Sequence, residues 1–177
     1  MFKDLDLSND ILDAIEAMGY KDPTPIQEQS IPIILEGSDL MAFAQTGTGK
    51  TAAFLLPIVD ILLDLKKDKK VKALIIAPTR ELASQIDKQL EGMAYFTPID
   101  SLAIYGGGDG KDFSQEKKAL ENGASIIIAT PGRLMSHLKM GYVDLKELEF
   151  LVLDEADKML DMGFLPDILE IKKHLSG

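Results

Sequence analysis

Short, continuous apolar runs limit the fold of this sequence more than any other feature. Three of them read LIIA, IIIA and FLVL, with no polar residue at alternate positions. An alternating strand keeps one face in water, whereas an uninterrupted apolar strand is buried on both faces, as in parallel sheets. Together with two more mixed runs, they predict five strands, at residues 39–44, 73–77, 102–105, 125–129 and 149–153.

The stretches between these runs have the periodicity of helices. They predict helices at residues 11–18, 26–35, 50–63, 81–95, 113–121, 132–140 and 165–174. Alternating strands and helices indicate an α/β fold with a doubly wound, mostly parallel sheet and helices on both of its faces. The 177 residues suit one domain. Polar or glycine-rich connections are predicted at 66–70, 106–110 and 141–146.

Composition excludes several classes of protein. The chain has no cysteine, so it has neither a disulfide framework nor a thiolate metal site. No apolar run approaches the length of a membrane span, and the start, MFKDLDLSND, is too acidic and polar for a secretory signal. We therefore expect a cytoplasmic protein without a membrane partner.

A nucleotide-binding loop is predicted at residues 44–51, AQTGTGKT, between a predicted strand and a predicted helix. Gly47 and Gly49 allow the backbone to curl, so that successive N–H groups face phosphate oxygens. Lys50 supplies a charge for the β- and γ-phosphates, and the Thr51 hydroxyl is a ligand for Mg²⁺. Ala44 departs from the general pattern, which has glycine there. The predicted nucleotide contacts are Gln45, Thr46, Gly47, Thr48, Gly49, Lys50 and Thr51.

Two other interpretations of this loop fit less well. A simple glycine-rich turn requires neither the lysine nor the threonine. A dinucleotide-binding loop matches residues 47–52, GTGKTA, but it requires an acidic residue at the end of the second strand. The sequence there is Ala77-Pro78-Thr79-Arg80, with no carboxylate before Glu81.

Two adjacent acids follow the last apolar run directly. A strand that ends in Asp154 and Glu155 places both at the carboxyl edge of the sheet, where ligands bind in such folds. Asp154 is predicted to hold Mg²⁺ through water, and Glu155 to orient and deprotonate the attacking water. Lys50, Asp154 and Glu155 are the predicted catalytic residues, around one magnesium–triphosphate. Asp157 and Asp161 also fit solvated helix caps.

Residues 154–157 spell DEAD, and with the other motifs the chain resembles the DEAD-box ATP-dependent RNA helicases from residue 2 to residue 164. The segment 19–27, GYKDPTPIQ, is similar to the Q motif of that family, with Tyr20 at an aromatic position. The resemblance implies a RecA-like fold in which Gln27 reads the adenine edge and Phe2 stacks on the ring. A side-chain amide can both donate to and accept from adenine. Lys21 and Thr24 belong to the same expected ATP site.

Three further segments resemble motifs that contact RNA in the family: 78–83 (PTRELA), 106–107 (GG) and 130–133 (TPGR). Each follows a predicted strand, which suits sequence-independent recognition of the RNA backbone. They also fit turns and helix caps, and both interpretations hold because a helix N-terminus is itself a phosphate site. Residues 161–164, DMGF, are similar to a family segment near the RNA. The implied contacts are Pro78, Thr79, Arg80, Gly106, Gly107, Thr130, Gly132, Arg133 and Phe164.

The net charge of −10 indicates that any RNA site here is partial, because phosphate binding usually requires a basic surface. His137 and His174, without a partner at metal-ligand spacing, are predicted to be ordinary surface residues.

The resemblance also implies parts that residues 1–177 do not contain. The family has a Ser-Ala-Thr strand after the DEAD residues and then a second RecA-like domain, which would be the partner of this one. We therefore expect residues 1–177 to be the N-terminal, ATP-binding domain, nearly inactive alone and with a gap in its sheet. A DNA translocase and a non-hydrolysing RNA clamp remain as alternatives.

Overall fold

The computed structural model describes residues 1–65, 70–106 and 110–175. The chain divides into a helical unit, Met1–Lys66 with Lys88–Ile99, and a sheet unit, Lys67–Asp87 with Asp100–Gly177. The helical unit contains a 3₁₀ turn at Phe2–Asp4 and helices α1 (Asn9–Ala17), α2 (Pro25–Leu35) and α3 (Lys50–Asp64). Helix α4 (Arg80–Ala94) has residues in both units. The remaining elements belong to the sheet unit: β1 (Ala73–Ile76), β2 (Ser101–Ile104), α5 (Gly110–Asn122), β3 (Ile126–Ala129), α6 (Pro131–Leu138), β4 (Phe150–Leu153), α7 (Ala156–Asp161) and α8 (Leu165–Lys172).

The helical unit is built around α3, against which both α1 and α2 pack. Helix α1 buries Ile11, Ala14 and Ile15, a spacing that puts all three on one face of the helix. The carboxylate of Asp60 in α3 accepts hydrogen bonds from the backbone N–H of Ser8 at 3.2 and 3.3 Å. This contact fixes the start of α1 to α3.

The sheet has four parallel strands in the order β2-β3-β1-β4. The register pairs Ile76 with both Ala129 and Leu153, and Ala129 with Ile104. The four strands therefore end side by side, at one carboxyl edge. The parallel strands alternating with helices confirm the predicted α/β class.

Burial across the sheet follows the apolar runs for two strands and departs from them for a third. Every residue of β1 and β3 is buried, which confirms the inference from their continuous apolar sequence. Strand β4 has an equally apolar sequence, but Leu151 and Leu153 are 39% and 36% exposed. Among the described residues it pairs with β1 alone, so it is an edge strand of this sheet.

The predicted strand at residues 39–44 is wrong. That segment has no regular structure, and Met41 and Phe43 are 80% and 85% exposed. An apolar segment becomes a strand only where a neighbouring strand accepts its backbone hydrogen bonds, and within the described ranges this segment has no strand partner.

The predicted helices are all present, with ends displaced by a few residues. The 3₁₀ turn and the six-residue α7 were not predicted. The connection at 141–146 is confirmed, whereas residues 66–69 and 107–109 of the other two connections lie outside the described residues. In the described part of the chain, no helix combines the length and the apolar character needed to cross a bilayer.

Candidate functional site

The glycine-rich loop of the helical unit leads directly into α3. Gly47 and Gly49 have φ of 82° and 84°, the left-handed region that glycine adopts without strain. The Thr48 hydroxyl donates to the carbonyl of Gln45 at 2.7 Å, which closes the loop. Lys50 begins α3, a helix of 15 residues, and the first N–H groups of a helix lack internal partners. The loop therefore has the backbone and the charge of a phosphate site.

Gln27 connects the predicted adenine-reading segment to this loop. Its side chain is buried, with 4% exposure. The Oε1 atom accepts from the backbone N–H of Thr24 at 2.9 Å, and Nε2 donates to the carbonyl of Gly49 at 3.1 Å. A Cβ atom at Gly49 would lie 2.4 Å from that Nε2, so a side chain there would displace the Gln27 amide. Glycine at this position therefore suits the backbone angle of the loop and preserves the contact with Gln27.

The Gln27 amide keeps unused hydrogen-bonding capacity. A side-chain amide has two N–H donors and two acceptor lone pairs, and the contacts with Thr24 and Gly49 use one of each. The hydroxyl oxygen of Thr24 is also buried and lacks a hydrogen-bond partner within the described structure. Polar atoms of this kind suit a polar ligand. The adenine contact itself stays a prediction.

The other predicted ATP contacts of the helical unit differ in accessibility. Phe2 is 4% exposed, and its ring centroid is 6.4 Å from that of Tyr20. Burial raises the pKa of Tyr20, so this ring keeps its hydroxyl proton. Lys21, Gln45 and Thr46 are exposed. Phe2 and Tyr20 are therefore neighbours, while the stacking of Phe2 on adenine stays a prediction.

The paired acids continue β4 in the sheet unit. The backbone N–H of Asp154 donates to the carbonyl of Ile76 at 3.0 Å, and its Oδ1 accepts from the N–H of Glu155, also at 3.0 Å. Glu155 has φ 50° and ψ 49°, the left-handed conformation that costs a non-glycine residue energy. Its carboxylate lies 3.4 Å from the ammonium of Lys158. The sequence did not predict this strained backbone.

The donor chemistry suits magnesium. Thr51 offers a hydroxyl and Asp154 a carboxylate, the oxygen ligands that Mg²⁺ prefers. Within the described residues, no group of three or more His, Cys, Asp or Glu side chains is arranged to hold a metal. Magnesium at nucleotide sites commonly takes only one or two protein ligands, with phosphate and water for the rest. Each of the two residues therefore offers an oxygen ligand that suits Mg²⁺, and the magnesium site itself stays a prediction.

The segments predicted to bind RNA follow three neighbouring strands of the sheet unit. Thr79 and Arg80 come after β1, Gly106 after β2, and residues 130–133 after β3. Each follows a strand, as predicted, and because these strands end in register the segments share the carboxyl edge. Arg80 and Gly132 are exposed and Pro78 is buried. Gly107 lies outside the described residues.

The two threonines at this edge act differently. The Thr79 hydroxyl accepts from the backbone N–H of Leu82 at 3.3 Å, which confirms the predicted helix cap at the start of α4. Thr130 occupies the cap position of α6 without such a bond. Its hydroxyl instead donates to the carbonyl of Tyr105 at 3.4 Å, so it connects the ends of β2 and β3.

Arg133 and His137 belong to one buried cluster. Arg133 Nε donates to Glu116 Oε2 at 2.6 Å, and the same oxygen lies 2.8 Å from His137 Nε2. His137 is completely buried and its other ring nitrogen contacts the Tyr142 hydroxyl. The prediction of a surface His137 was wrong, because burial here comes from residues of α5 and the 141–146 connection. His174 is exposed, as predicted.

Phe164 precedes α8 and is partly buried against the hydrophobic core of the sheet unit, which includes Met159 and Ile171. Its ring is therefore a packing element of that unit. A contact with RNA stays a prediction.

Comparison with known proteins assigns the family. The family model described as DEAD/DEAH box helicase matches residues 24–176. This chain belongs to the DEAD/DEAH box helicase family. The four-stranded parallel sheet agrees with the RecA-like α/β fold expected of such a helicase domain.

Individual relatives of this DEAD/DEAH box domain are similar over nearly all of it. The chain is 45% identical to the ATP-dependent RNA helicase CshA of Listeria monocytogenes over 98% of its length. It is 46% identical to the ATP-dependent rRNA helicase rrp-3 of Neurospora crassa and 44% to RhpA, a DEAD-box ATP-dependent RNA helicase of Helicobacter pylori. The matched part covers 32%, 33% and 34% of these three relatives, so the chain spans about a third of their length.

Proposed function

We propose that this chain is the ATP-binding domain of an ATP-dependent RNA helicase, which couples ATP binding and hydrolysis to sequence-independent RNA binding and local duplex opening. The observation that carries the proposal is the hydrogen bond from Gln27 to the Gly49 carbonyl. It joins the segment expected to read adenine to the loop expected to hold phosphates. The names of the relatives, all ATP-dependent RNA helicases, support the same activity.

The phosphates of ATP bind to the loop amides, and Lys50 neutralises the β- and γ-phosphate charge. Thr51 and Asp154 would provide ligands for Mg²⁺, which would draw electron density from the phosphate oxygens. Glu155 orients the attacking water and accepts its proton. Gln27 reads the adenine edge with its unused donor and acceptor, and Phe2 contacts the base. The remaining ATP contacts are Lys21, Thr24, Gln45, Thr46, Gly47, Thr48 and Gly49.

RNA binds along the carboxyl edge of the sheet unit. Backbone N–H groups and threonine hydroxyls at this edge recognise the sugar–phosphate chain, which carries no sequence information. The shared edge of three strand ends supports this assignment. The proposed contact residues are Pro78, Thr79, Arg80, Gly106, Gly107, Thr130, Gly132, Arg133 and Phe164.

A second RecA-like domain of the same protein completes the proposed catalytic cycle. The proposed location of this protein is the cytoplasm. Arginine fingers from a partner domain raise phosphoryl-transfer rates by about a thousandfold or more. In the proposed full-length protein, the Ser-Ala-Thr strand lies between this chain and the second domain. That strand would pair with the edge of β4 that β1 does not occupy. Residues 1–177 alone are thus expected to bind adenine nucleotide modestly and to hydrolyse it barely.

The test uses the full-length protein that contains this chain. ATP turnover is measured with and without single-stranded RNA, for the wild type and for Glu155→Gln. We expect RNA to stimulate the wild type, and Glu155→Gln to keep ATP binding while losing turnover by about a hundredfold or more. A non-hydrolysing RNA clamp would show no such loss. Equal stimulation by DNA of the same sequence would favour a DNA translocase instead.

A further inference from the structure

Arg133 has a charge partner already. Its Nε–H donates to Glu116 Oε2 at 2.6 Å, and its side chain is 18% exposed. The guanidinium carbon lies 4.8 Å from the centroid of the Phe113 ring, a distance typical of a cation–π contact. Glu116 contacts Nε alone, and Nη2 is buried without a hydrogen-bond partner among the described residues. The charge of this guanidinium is therefore already paired with a carboxylate, and the residue is a poor candidate for a free cation.

The same Glu116 oxygen is held by a second residue. It lies 2.8 Å from His137 Nε2, and the imidazole stacks on Phe113 with centroids 4.2 Å apart. A carboxylate can only accept, so Nε2 carries the hydrogen. The Tyr142 hydroxyl contacts Nδ1, and in the neutral ring it donates to that nitrogen. Burial, and then the charges of Glu121 and Glu116, raises the pKa of Tyr142, so the phenol keeps the proton it donates.

The hydrocarbon stem of Arg133 lies against Gly106. A Cβ atom at Gly106 would be 3.2 Å from Cδ of Arg133 and 3.4 Å from its Nε. Gly106 follows β2 and Arg133 lies in the first turn of α6, after β3. The arginine therefore connects two of the segments assigned to RNA, alongside the bond from Thr130 to Tyr105.

We propose that Glu116 and His137 are positioning residues for RNA binding, which hold Arg133 against Gly106. Backbone groups after β2 and at the start of α6 then meet the phosphates, and the guanidinium of Arg133 does not. The exposed Gly132, whose N–H is among the unpaired groups at the helix start, is suited to that contact. Exposed Arg80 supplies charge. This inference rests on the proposed RNA-binding function.

Glu116→Gln separates the two possible roles of Arg133 by the sign of its effect. If Arg133 bound phosphate directly, loss of the neighbouring negative charge would free the guanidinium and strengthen RNA binding. The positioning role predicts the opposite, an affinity about fivefold to tenfold weaker, because a charge-assisted hydrogen bond no longer orders the segment. The measurement is fluorescence anisotropy of a labelled short oligouridine with the full-length protein and a non-hydrolysable ATP analogue.

The salt dependence provides a second readout that a general loss of structure would not mimic. We expect Glu116→Gln to leave the slope of log affinity against log salt unchanged. Arg80→Met should reduce that slope by about 0.7, the value for one phosphate contact on a single strand. Arg133→Lys keeps the charge but loses the Nε–H donor, so it should weaken RNA binding about as much as Glu116→Gln. The conservative control is Lys118→Arg, at an exposed position of α5 outside the proposed RNA contacts, which should bind as the wild type does.

The outcomes separate this inference from the function on which it rests. A wild type that does not bind RNA would overturn the proposed function. A wild type that binds, with Glu116→Gln binding equally or more tightly, would overturn the positioning role. ATP affinity and the circular dichroism spectrum report whether each variant is folded. If Glu116→Gln does not fold, Arg133→Lys decides, and wild-type affinity in that variant contradicts the proposal.

Discussion

The backbone carbonyl of Gly49 accepts a hydrogen bond from the side chain of Gln27, 22 residues earlier in the chain. The two residues are tightly packed: Gln27 is buried, and a Cβ atom at Gly49 would lie 2.4 Å from its Nε2. The phosphate loop therefore depends on α2 for its shape, as well as on its own glycines. A loop held in this way is preorganised for its ligand, and its ordering cost on binding is reduced.

Gly49→Ala should destabilise the chain more than Gly47→Ala. Both positions have left-handed φ, so alanine costs about 1–2 kcal/mol of backbone energy at either. Only at Gly49 does the added methyl group also collide with Gln27, since nothing lies within 4 Å of a Cβ atom at Gly47. Urea denaturation measures the difference. Equal destabilisation by the two variants would contradict the close contact.

Gln27→Glu should weaken ATP binding and lower stability. A glutamate keeps the acceptor for Thr24 but, when ionised, cannot donate to the Gly49 carbonyl, which then keeps only its bond from the N–H of Ala53. The buried side chain would carry a charge without its former bond to the loop, at a cost of about 1–3 kcal/mol. Gln29→Glu, at an exposed position of the same helix, is the matched control and should change neither property. Titration with a fluorescent ATP analogue and thermal unfolding measure the two effects. Parallel behaviour of the two variants would refute the role of the contact.

The sequence predicted the helices and the buried strands because their signals are local. Periodicity specifies a helix within its own residues, and an all-apolar run such as 126–129 specifies burial. The strand at 39–44 could not be decided in this way, since pairing requires a neighbour that only the fold supplies. Helix α7 was missed because it has only six residues and starts after the left-handed Glu155.

The site residues divide in the same way, into those found from local spacing and those that depend on distant parts of the chain. The loop glycines, Lys50 and the paired acids are adjacent in the sequence and were found from their spacing. The bond between Gln27 and Gly49 was not predicted. Thr24 and Gln27 have the spacing of a capping box, which indicates only that the glutamine side chain reaches back to the backbone of Thr24. His137 lies on the same helix face as Leu134 and Leu138, a spacing that indicates its burial, whereas its partners Phe113, Glu116 and Tyr142 come from other segments and could not be found from α6.

Glu155→Gly should be more stable than Glu155→Ala by about 1 kcal/mol, because glycine relieves the left-handed strain and alanine does not. Asp6, at φ 54°, is a comparison site far from the paired acids in sequence. There too, the glycine variant should be more stable than the alanine variant. Chemical denaturation gives the free energies of unfolding. If Glu155→Ala were the more stable of its pair, the strain at this position would be disproved.

His137→Ala should destabilise the chain by about 2–4 kcal/mol. The change opens a cavity beside Phe113, removes the imidazole that contacts the Tyr142 hydroxyl, and leaves Glu116 Oε2 with Arg133 as its remaining partner among the described residues. His174→Ala, at an exposed position, is the control and should be neutral within about 0.5 kcal/mol. Thermal melts of the two variants are compared, and similar melting temperatures would contradict the buried cluster.

A longer chain that includes the Ser-Ala-Thr strand implied by the family should have a higher melting temperature than residues 1–177. The open edge of β4 exposes backbone groups and the side chains of Leu151 and Leu153, and a paired strand would cover both. Calorimetry of the two lengths provides the comparison. Equal melting temperatures would count against an incomplete sheet.

The loop supported by Gln27 is expected to bind the phosphates of an adenine nucleotide. Isothermal titration of this chain with magnesium–ATP and with magnesium–GTP measures that binding, with Lys50→Ala as the comparison. We expect measurable ATP binding, at least about tenfold weaker GTP binding, and loss of both in Lys50→Ala. Equal affinity for ATP and GTP, or ATP binding that is unchanged in Lys50→Ala, would contradict this expectation.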